Sequence, residues 1–322
     1  MEYAELGRTG IKISRIGIGT WQWGSSSWGY GKEYTEEDLR QAFETAIEYG
    51  INFIDTAEMY GGGKSEELIG EFMEGRREEV IVASKVSPNH LTYRGVLKAF
   101  ECSSIRLRTD YIDLYYVHWP NPLIPMKWTA KAFLELLEQG KIRAIGVSNF
   151  SLKRMIKFNE LVGNQLAANQ VEYNLLHREP EKDLLPYCLE HGITLVAYSP
   201  LAKGAVLGKY NEKSLPKDFW RRLSTIFTPV NMRRLRPLIN TIKEIADNYG
   251  VKPVNVVLRY LIDKGAIPII GVKRKSHVED LVLTFDFNMT SDERKLLEEK
   301  LDSLRLVRWR AYPWVIKRVI KP

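Results

Sequence analysis

Cysteine is scarce in this sequence, which has only Cys102 and Cys188 among 322 residues. Two thiols cannot build a disulfide scaffold or a thiolate metal cage, so we expect a reducing, cytoplasmic compartment. No apolar run approaches the roughly 20 residues that cross a bilayer, and residues 1–5 lack the features of a signal peptide. The five histidines show no metal-ligand spacing. We therefore expect neither a membrane protein, nor a secreted disulfide-rich one, nor a metal site.

Acidic residues are absent from the last eighteen positions, and this absence explains the net charge of +7. That segment carries six basic residues, and without them the chain has 41 basic residues against 40 acidic ones. The excess is thus a local property and not a field over the whole protein. Trp309, Tyr312 and Trp314 interleave with these charges, a pattern compatible with nucleic-acid stacking or with packing on the body of the protein. We favour packing and expect no nucleic-acid partner, because no nucleic-acid-binding module accompanies the charges.

The rest of the chain, 44% hydrophobic, is regular. Short apolar runs alternate with amphipathic stretches of ten or more residues, as in β/α units around a parallel sheet. Eight such units without a linker favour a single closed (β/α)8 TIM barrel over residues 1–322. The predicted strands are 16–19, 52–55, 80–85, 112–117, 144–147, 168–171, 194–198 and 267–270.

Four segments lie outside this alternation. An N-terminal β-hairpin is predicted from residues 3–6 and 11–14 across a Gly-Arg-Thr-Gly turn. Residues 203–236 are long, basic and aromatic, and we predict a lid loop after the seventh barrel strand. Thr290 caps a terminal charged helix that runs to about Leu304, and a C-terminal tail follows it.

Titratable side chains end three successive predicted strands: Asp55, Lys85 and His118. Since strands of a barrel end at one face, where active sites lie, we expect them to converge, with Asp55 and Lys85 paired. Tyr60 follows closely, and the Lys85 ammonium is expected to lower the pKa of its phenol toward neutrality. His118 could then orient a substrate oxygen. This set suits protonation of an oxygen that gains negative charge, as when hydride adds to a carbonyl.

The sequence resembles the aldo-keto reductases over nearly its whole length, including the branch of the potassium-channel β subunits. The resemblance rests on motifs in the family's order and spacing: GIGTW at 17–21, DTAEMYG at 55–61, SK at 84–85, YVHWP at 116–120, GVSNF at 146–150, NQVEYN at 169–174, AYSPL at 197–201 and PIIGVK at 268–273.

The resemblance implies a catalytic tetrad of Asp55, Tyr60, Lys85 and His118, with Tyr60 as the proton donor. It implies NADPH as the cofactor, with NADH possible, and aldehydes or ketones and their alcohols as substrates. A departure is Leu281, which stands where family members often carry an adenine-binding Asn. The implied cofactor contacts are Thr20, Trp21, Asp55, Ser148, Asn149, Gln170, Tyr198, Ser199, Pro200, Leu201, Lys203, Gly204, Gly271, Lys273, Arg274, His277 and Asp280.

An aromatic substrate pocket is predicted at the barrel mouth, formed by Trp23, Trp28, Tyr60, His118 and Trp119. Aromatics that merely cover the barrel top are the alternative.

Two other functions stay open: a nicotinamide-binding regulatory subunit with little turnover, as in potassium-channel β subunits, and a Schiff-base lyase that uses Lys85 as its nucleophile. The physiological substrate and the choice between monomer and homo-oligomer are likewise open.

Overall fold

A computed structural model describes residues 1–307, except the side chains of residues 219 and 220. The predictions for the aromatic, basic tail beyond residue 307 lie outside the described residues. Eight parallel strands close into a barrel in the order β10-β3-β4-β5-β6-β7-β8-β9, which confirms the predicted fold class. The strands are β1 Tyr3–Glu5, β2 Lys12–Ser14, β3 Gly17–Gly19, β4 Phe53–Asp55, β5 Ile81–Val86, β6 Ile112–Val117, β7 Ile142–Ser148, β8 Leu166–Glu172, β9 Thr194–Tyr198 and β10 Ile267–Gly271.

The barrel strands are buried on both faces, which is why they form nearly continuous apolar runs in the sequence. Side chains two residues apart share a face of a strand. One interior cluster accordingly takes Phe53 from β4, Ile81 and Ala83 from β5, and Leu114 and Tyr116 from β6. The residue two positions further along each strand shares this inward face. It therefore lies at the carboxyl end of the barrel interior.

The hairpin of β1 and β2 closes the opposite end of the barrel. Its strands pair antiparallel, with Ala4 opposite Ile13, as the sequence predicted. Leu6, Ile11 and Ile13 are buried in the same cluster as the barrel-interior side chains. The amino-terminal end of the barrel is therefore filled with apolar side chains, and only the carboxyl end is left for polar chemistry.

The helices begin at ordinary start signals, among them the predicted cap at Thr290. Thr35 and Asp38 form a capping box at α1, Pro253 begins α9, and Thr290 and Glu293 form a capping box at α11. No helix within residues 1–307 is both long and apolar enough to span a bilayer. The helices are α1 Glu36–Glu48, α2 Lys64–Phe72, α3 Tyr93–Leu107, α4 Met126–Glu138, α5 Leu152–Leu161, α6 Leu184–His191, α7 Phe219–Arg222, α8 Pro229–Tyr249, α9 Pro253–Asp263, α10 Lys275–Val282 and α11 Ser291–Ser303.

The prediction of one long lid loop over residues 203–236 is wrong in its second half. A short helix, α7, interrupts the segment, and α8 already begins at Pro229. Thr228 caps α8 by accepting a hydrogen bond from the backbone of Asn231. Met232, Leu235 and Ile239 recur at helical spacing and are buried, so the basic residues between them lie on a solvated helix face.

Candidate active site

The polar side chains at the carboxyl end of the barrel continue the inward faces of the strands. Asp55 lies two residues after Phe53, Lys85 two after Ala83, and His118 two after Tyr116. Each therefore points along the same face as a barrel-interior residue. Asp55 and Lys85 are 1% and 0% exposed, and His118 is 7% exposed. The three charged strand ends that the sequence singled out thus converge.

Lys85 is the centre of the polar cluster. Its Nζ donates to Asp55 Oδ1 at 2.5 Å, to the Thr56 carbonyl at 2.7 Å and to the Tyr60 hydroxyl at 3.4 Å. The second Asp55 oxygen accepts from Gln170 Nε2 at 2.7 Å. A buried ion pair is tolerated only when hydrogen bonds satisfy its remaining groups, as they do here. The predicted pairing of Asp55 with Lys85 is confirmed.

Tyr60 is brought to Lys85 by a glycine-rich turn. Gly61, Gly62 and Gly63 follow it with φ of 59°, 67° and 99°, a region that side chains rarely adopt. A Cβ on Gly61 would also lie 2.9 Å from the Trp23 carbonyl oxygen. The three glycines therefore let the chain turn sharply from β4 into α2, with the phenol of Tyr60 directed at the barrel interior.

The expected lowering of the Tyr60 pKa does not occur. Burial raises the pKa of the phenol, and the Lys85 ammonium offsets only part of that rise. Burial alone would lower the pKa of Lys85, but the Asp55 carboxylate and Tyr60 outweigh it and raise that pKa. At neutral pH the pair is therefore an ammonium beside a protonated phenol, and the phenol has a proton to give.

His118 lies beside Tyr60, with ring centroids 5.7 Å apart and an interplanar angle of 77°. Burial and then the nearby Lys85 charge lower its pKa to about 3. Its Nδ1 is buried and has no hydrogen-bond partner among residues 1–307. The imidazole is therefore neutral at physiological pH and can orient an oxygen by a hydrogen bond without carrying charge.

This neutrality is measurable. We expect the His118 ring of the protein without ligands to stay unprotonated down to about pH 4, because its pKa is about 3. Nitrogen-15 NMR of histidine-labelled protein reports the protonation state of each ring, and the signal lost in His118→Gln identifies this one. A signal of His118 that titrates near pH 6.5 would contradict the buried, uncharged imidazole.

A hydrogen-bonded row of polar residues continues from His118 around the mouth. Asn149 Nδ2 donates to the His118 carbonyl at 3.1 Å and to Ser148 Oγ at 3.0 Å. Ser148 Oγ donates to the Gln170 carbonyl at 2.9 Å, and Tyr198 donates to Asn149 Oδ1 at 2.9 Å. The structure therefore brings together Ser148, Asn149, Gln170 and Tyr198, four of the residues expected to contact the nicotinamide.

The loop after β9 has strained backbone geometry. Ser199, Ala202 and Lys203 have φ of 51°, 46° and 58°, although none is glycine. Such conformations cost about 1–3 kcal/mol each and cluster at ligand-binding sites. Pro200 is buried and Leu201 half-buried, whereas Lys203 is exposed, and Gly204 ends the turn at φ 88°. Residues 199–204 thus form a fixed turn at the mouth.

Four of the implied cofactor contacts lie at the end of β10 and just after it. Lys273 donates to the Trp28 carbonyl at 2.6 Å, and Arg274 donates to the Glu33 carbonyl at 2.8 Å. His277 Nδ1 accepts from the backbone of Lys273 at 3.3 Å, and Gly271 is exposed. These bonds, together with the ion pair of Lys273 and Glu33 at 3.6 Å, tie the end of β10 to the loop between β3 and α1. Lys273 is half-buried, and Arg274 is exposed.

The adenine end departs from the family pattern in the structure as well. Leu281, at the position where many members carry Asn, is 3% exposed and belongs to the core. Asp280 pairs with Lys252 at 2.6 Å, so its carboxylate is engaged by α9's cap residue. The buried Leu281 side chain has no amide, so it cannot offer the usual contact. The cofactor contact of Asp280 stays a prediction.

One predicted contact is corrected. Trp23 is fully buried in the core, where its indole donates to the Val272 carbonyl at 3.0 Å, so it does not line a substrate pocket. Thr20 is also fully buried, and its hydroxyl bonds the Asp55 carbonyl and Ser65 Oγ, so its cofactor contact stays a prediction. No group of three or more His, Cys, Asp or Glu side chains within residues 1–307 could hold a metal ion.

The other mouth aromatics are accessible. Trp21 is 44% exposed and Trp119 is 48% exposed. Trp21 and Trp28 pack edge to face, with centroids 5.1 Å apart. Trp21 and Trp119 are therefore exposed apolar surface in the loops after β3 and β6, and the half-buried Trp28 packs against Trp21.

Sequence reasoning missed the residues that hold the Tyr60 turn in place. Ser65 Oγ lies 2.7 Å from Thr20 Oγ1 and 2.9 Å from Thr56 Oγ1. Glu66 is buried and bonds Ser84 on β5 at 2.5 Å. Ser65 shares the inward helix face of Leu68, Ile69 and Phe72, and that spacing of three, four and seven residues could have identified it.

Comparison with known proteins agrees with the geometry. The model of the Aldo/keto reductase family matches residues 15–302. The aldo-keto reductase YhdN of Bacillus subtilis is 36% identical over 317 residues and 94% of both chains. The thermostable aldo-keto reductase Tm1743, solved with the inhibitor epalrestat, is 36% identical with a TM-score of 0.77, over 93% of this chain and 100% of its own. An aldo/keto reductase of Klebsiella pneumoniae, solved with NADP and acetate, is 29% identical with a TM-score of 0.76, over 95% of this chain and 99% of its own.

Proposed function

Because the chain belongs to the aldo/keto reductase family, we propose that its buried polar cluster is the site of carbonyl reduction, with Tyr60 as the proton donor. The protein is an NADP-dependent oxidoreductase that interconverts carbonyl compounds and alcohols. The observation that carries the assignment of roles is the 3.4 Å contact between Lys85 Nζ and the Tyr60 hydroxyl inside the barrel mouth.

The described residues fit a nicotinamide cofactor. The buried Nδ1 of His118 lacks a partner among residues 1–307, and Tyr198, Asn149 and Ser148 form a polar row beside it. Residues 199–204 would hold the pyrophosphate, and Lys273 and Arg274 would hold the adenosine 2′-phosphate. When bound, the cofactor supplies the hydride.

The chain's own groups supply the proton and the orientation. Lys85, held by Asp55, stabilises the Tyr60 phenolate that remains once the phenol has given its proton to the substrate oxygen. Neutral His118 donates a hydrogen bond that fixes the direction of the same oxygen. Burial of the cluster excludes water and strengthens each of these interactions.

We propose small aldehydes and ketones as substrates, bound against Trp28 and Trp119 with Trp21 nearby. Trp21 and Trp119 have exposed rings, Trp28 packs against Trp21, and Trp119 directly follows His118 in the chain. Leu281 does not supply the usual adenine contact, so we expect cofactor affinity to depend mainly on the phosphate-binding residues. A cytoplasmic location is also proposed, since both cysteines are free.

The function is tested by the loss of absorbance at 340 nm when the protein is mixed with NADPH, and separately with NADH, over a panel of aldehydes and ketones. We expect reduction of several members of the panel, with NADPH preferred. Absence of turnover across the panel, together with tight retention of NADPH, would instead favour the regulatory-subunit alternative.

Removing the Lys273 ammonium is expected to reduce the preference for NADPH. Lys273→Met should raise the Kd for NADPH about tenfold and leave the Kd for NADH within about twofold, because one charge-assisted contact to phosphate is lost. Tryptophan fluorescence titration measures both constants. Lys275→Met is the matched control, since Lys275 begins α10 two residues further on and, like Lys273 with Glu33, pairs with one glutamate, Glu279. Equal losses for both cofactors would contradict a 2′-phosphate contact from Lys273.

A further inference from the structure

Gln170 makes a contact that the expected cofactor role does not explain. Its Nε2 donates to Asp55 Oδ2 at 2.7 Å, while Lys85 donates to Asp55 Oδ1 at 2.5 Å. Gln170 is 2% exposed and Asp55 is 1% exposed. The two oxygens of this buried carboxylate therefore have one donor each, and the two donors come from different strands of the barrel.

The direction of the Gln170 amide follows from its partner. An ionised carboxylate only accepts hydrogen bonds, so the group that faces it at 2.7 Å is the NH2 of the amide. The amide oxygen consequently points elsewhere. One side chain can thus donate to Asp55 and still present an acceptor to a second partner.

We infer that Gln170 is a positioning residue for the proton donor: by holding Asp55 Oδ2, it keeps Oδ1 directed at Lys85, and Lys85 in turn is held against Tyr60. This inference deepens the proposed function and rests on it. Gln170 does not touch the reacting atoms through this contact; it acts through Asp55 and Lys85.

The backbone makes Gln170 a rigid support for this role. Its carbonyl accepts from Ser148 Oγ at 2.9 Å and from the backbone of Asn149 at 2.8 Å. Ser148 and Gln170 are also register partners between β7 and β8. An oxygen of Asp55 that lost its donor would be buried and unsatisfied, and such a group tends to rotate or to take up a proton.

The charged and titratable groups around Asp55 fit the same account. The charge of the Asp55 carboxylate acts on three neighbouring groups, Lys85, Tyr60 and Tyr116. His118 lies close to Lys85. Burial raises the pKa of Asp55, whereas the hydrogen bonds from Lys85 and Gln170 lower it. Without the Gln170 donor the carboxylate should therefore protonate at higher pH, and its hold on Lys85 should weaken there.

The test compares Gln170→Met, which keeps the length and removes the donor, with Tyr198→Phe, which alters the same proposed cofactor site through Asn149 but removes no hydrogen bond of Gln170 or Asp55. In Gln170→Met we expect kcat to fall about tenfold and the acidic limb of its pH profile to rise by about one pH unit, the effect of one charge-assisted hydrogen bond. In Tyr198→Phe we expect a higher cofactor KM and an unmoved acidic limb.

A second measurement uses the protein without cofactor. Carbon-13 NMR of aspartate-labelled protein follows the side-chain carboxyl of Asp55, identified by the signal lost in Asp55→Asn. Its titration should move upward in Gln170→Met and stay unchanged in Tyr198→Phe. If Gln170→Met does not fold by circular dichroism, Gln170→Glu keeps the shape and should shift the signal further, because two buried carboxylates then face each other.

The inference is overturned if the Gln170 variants change only cofactor affinity, while the Asp55 signal and the acidic limb stay as in the wild type. Failure of the proposed function gives a different result. In that case the wild type would reduce no carbonyl compound, and the Asp55 signal would still respond to the loss of the Gln170 donor.

Discussion

Replacing Tyr60 by Phe is expected to lower kcat for carbonyl reduction by about 10²–10⁴-fold, the contribution typical of a positioned acid. The phenol is the proton-bearing group that touches Lys85, and its pKa is raised by burial, so it is protonated at the working pH. Removing one oxygen leaves the ring and its packing in place. The Kd for NADPH, measured by fluorescence titration, should therefore stay within about twofold.

Tyr249→Phe is the matched control for Tyr60→Phe. The Tyr249 hydroxyl bonds Glu293 on the outer layer of helices, far along the chain from the barrel mouth, and its loss should leave kcat unchanged. The proton-donor assignment is wrong if Tyr60→Phe keeps more than about a tenth of the wild-type kcat.

Replacing Lys85 by Met should reduce both activity and stability. The substitution leaves Asp55 buried without its cation, which costs about 3–5 kcal/mol in the free energy of unfolding. It also removes the charge that stabilises the Tyr60 phenolate, so kcat should fall by about 10²-fold or more. Urea denaturation and the 340 nm assay measure the two effects separately.

The double variant Asp55→Asn/Lys85→Met separates the stability effect from the catalytic one. With both charges removed, most of the lost stability should return, because no uncompensated buried charge remains. Activity should not return, since the ammonium next to Tyr60 is still missing. Recovery of activity along with stability would show that Lys85 has only a structural role.

The contacts of Lys85 also argue against the Schiff-base alternative. Its three donor contacts go to Asp55, the Thr56 carbonyl and Tyr60, and its pKa is raised, so it is an ammonium and not a free amine. A Schiff-base lysine must be deprotonated to attack a carbonyl. Borohydride should therefore fail to trap a carbonyl substrate on Lys85.

Much of the fold was predictable because barrel strands are buried on both sides. Apolar runs such as residues 112–117 therefore matched the observed strands closely, and their ends carried the residues of the site. The sequence identifies three site residues, Asp55, Lys85 and His118. A titratable residue at the end of a buried strand does not serve to fill a core.

Other features depend on packing that spacing does not reveal. The sequence predicts Trp23 in a loop at the barrel mouth, but its indole points inward and donates to a backbone carbonyl. The Thr20 hydroxyl likewise points inward, where it hydrogen-bonds Ser65. The net pKa of Tyr60 depends on how strongly burial opposes Lys85, which only the three-dimensional surroundings determine. The contact of Gln170 with Asp55 joins strands 115 residues apart in sequence.

The central claim is tested most directly by the rate of hydride transfer in a single turnover, followed at 340 nm with NADPH already bound. The wild type should show a fast loss of absorbance on mixing with an aldehyde. Tyr60→Phe and Lys85→Met, with cofactor equally saturated, should show none on that timescale. A wild-type rate in either variant would contradict the assignment of this buried cluster as the reducing site.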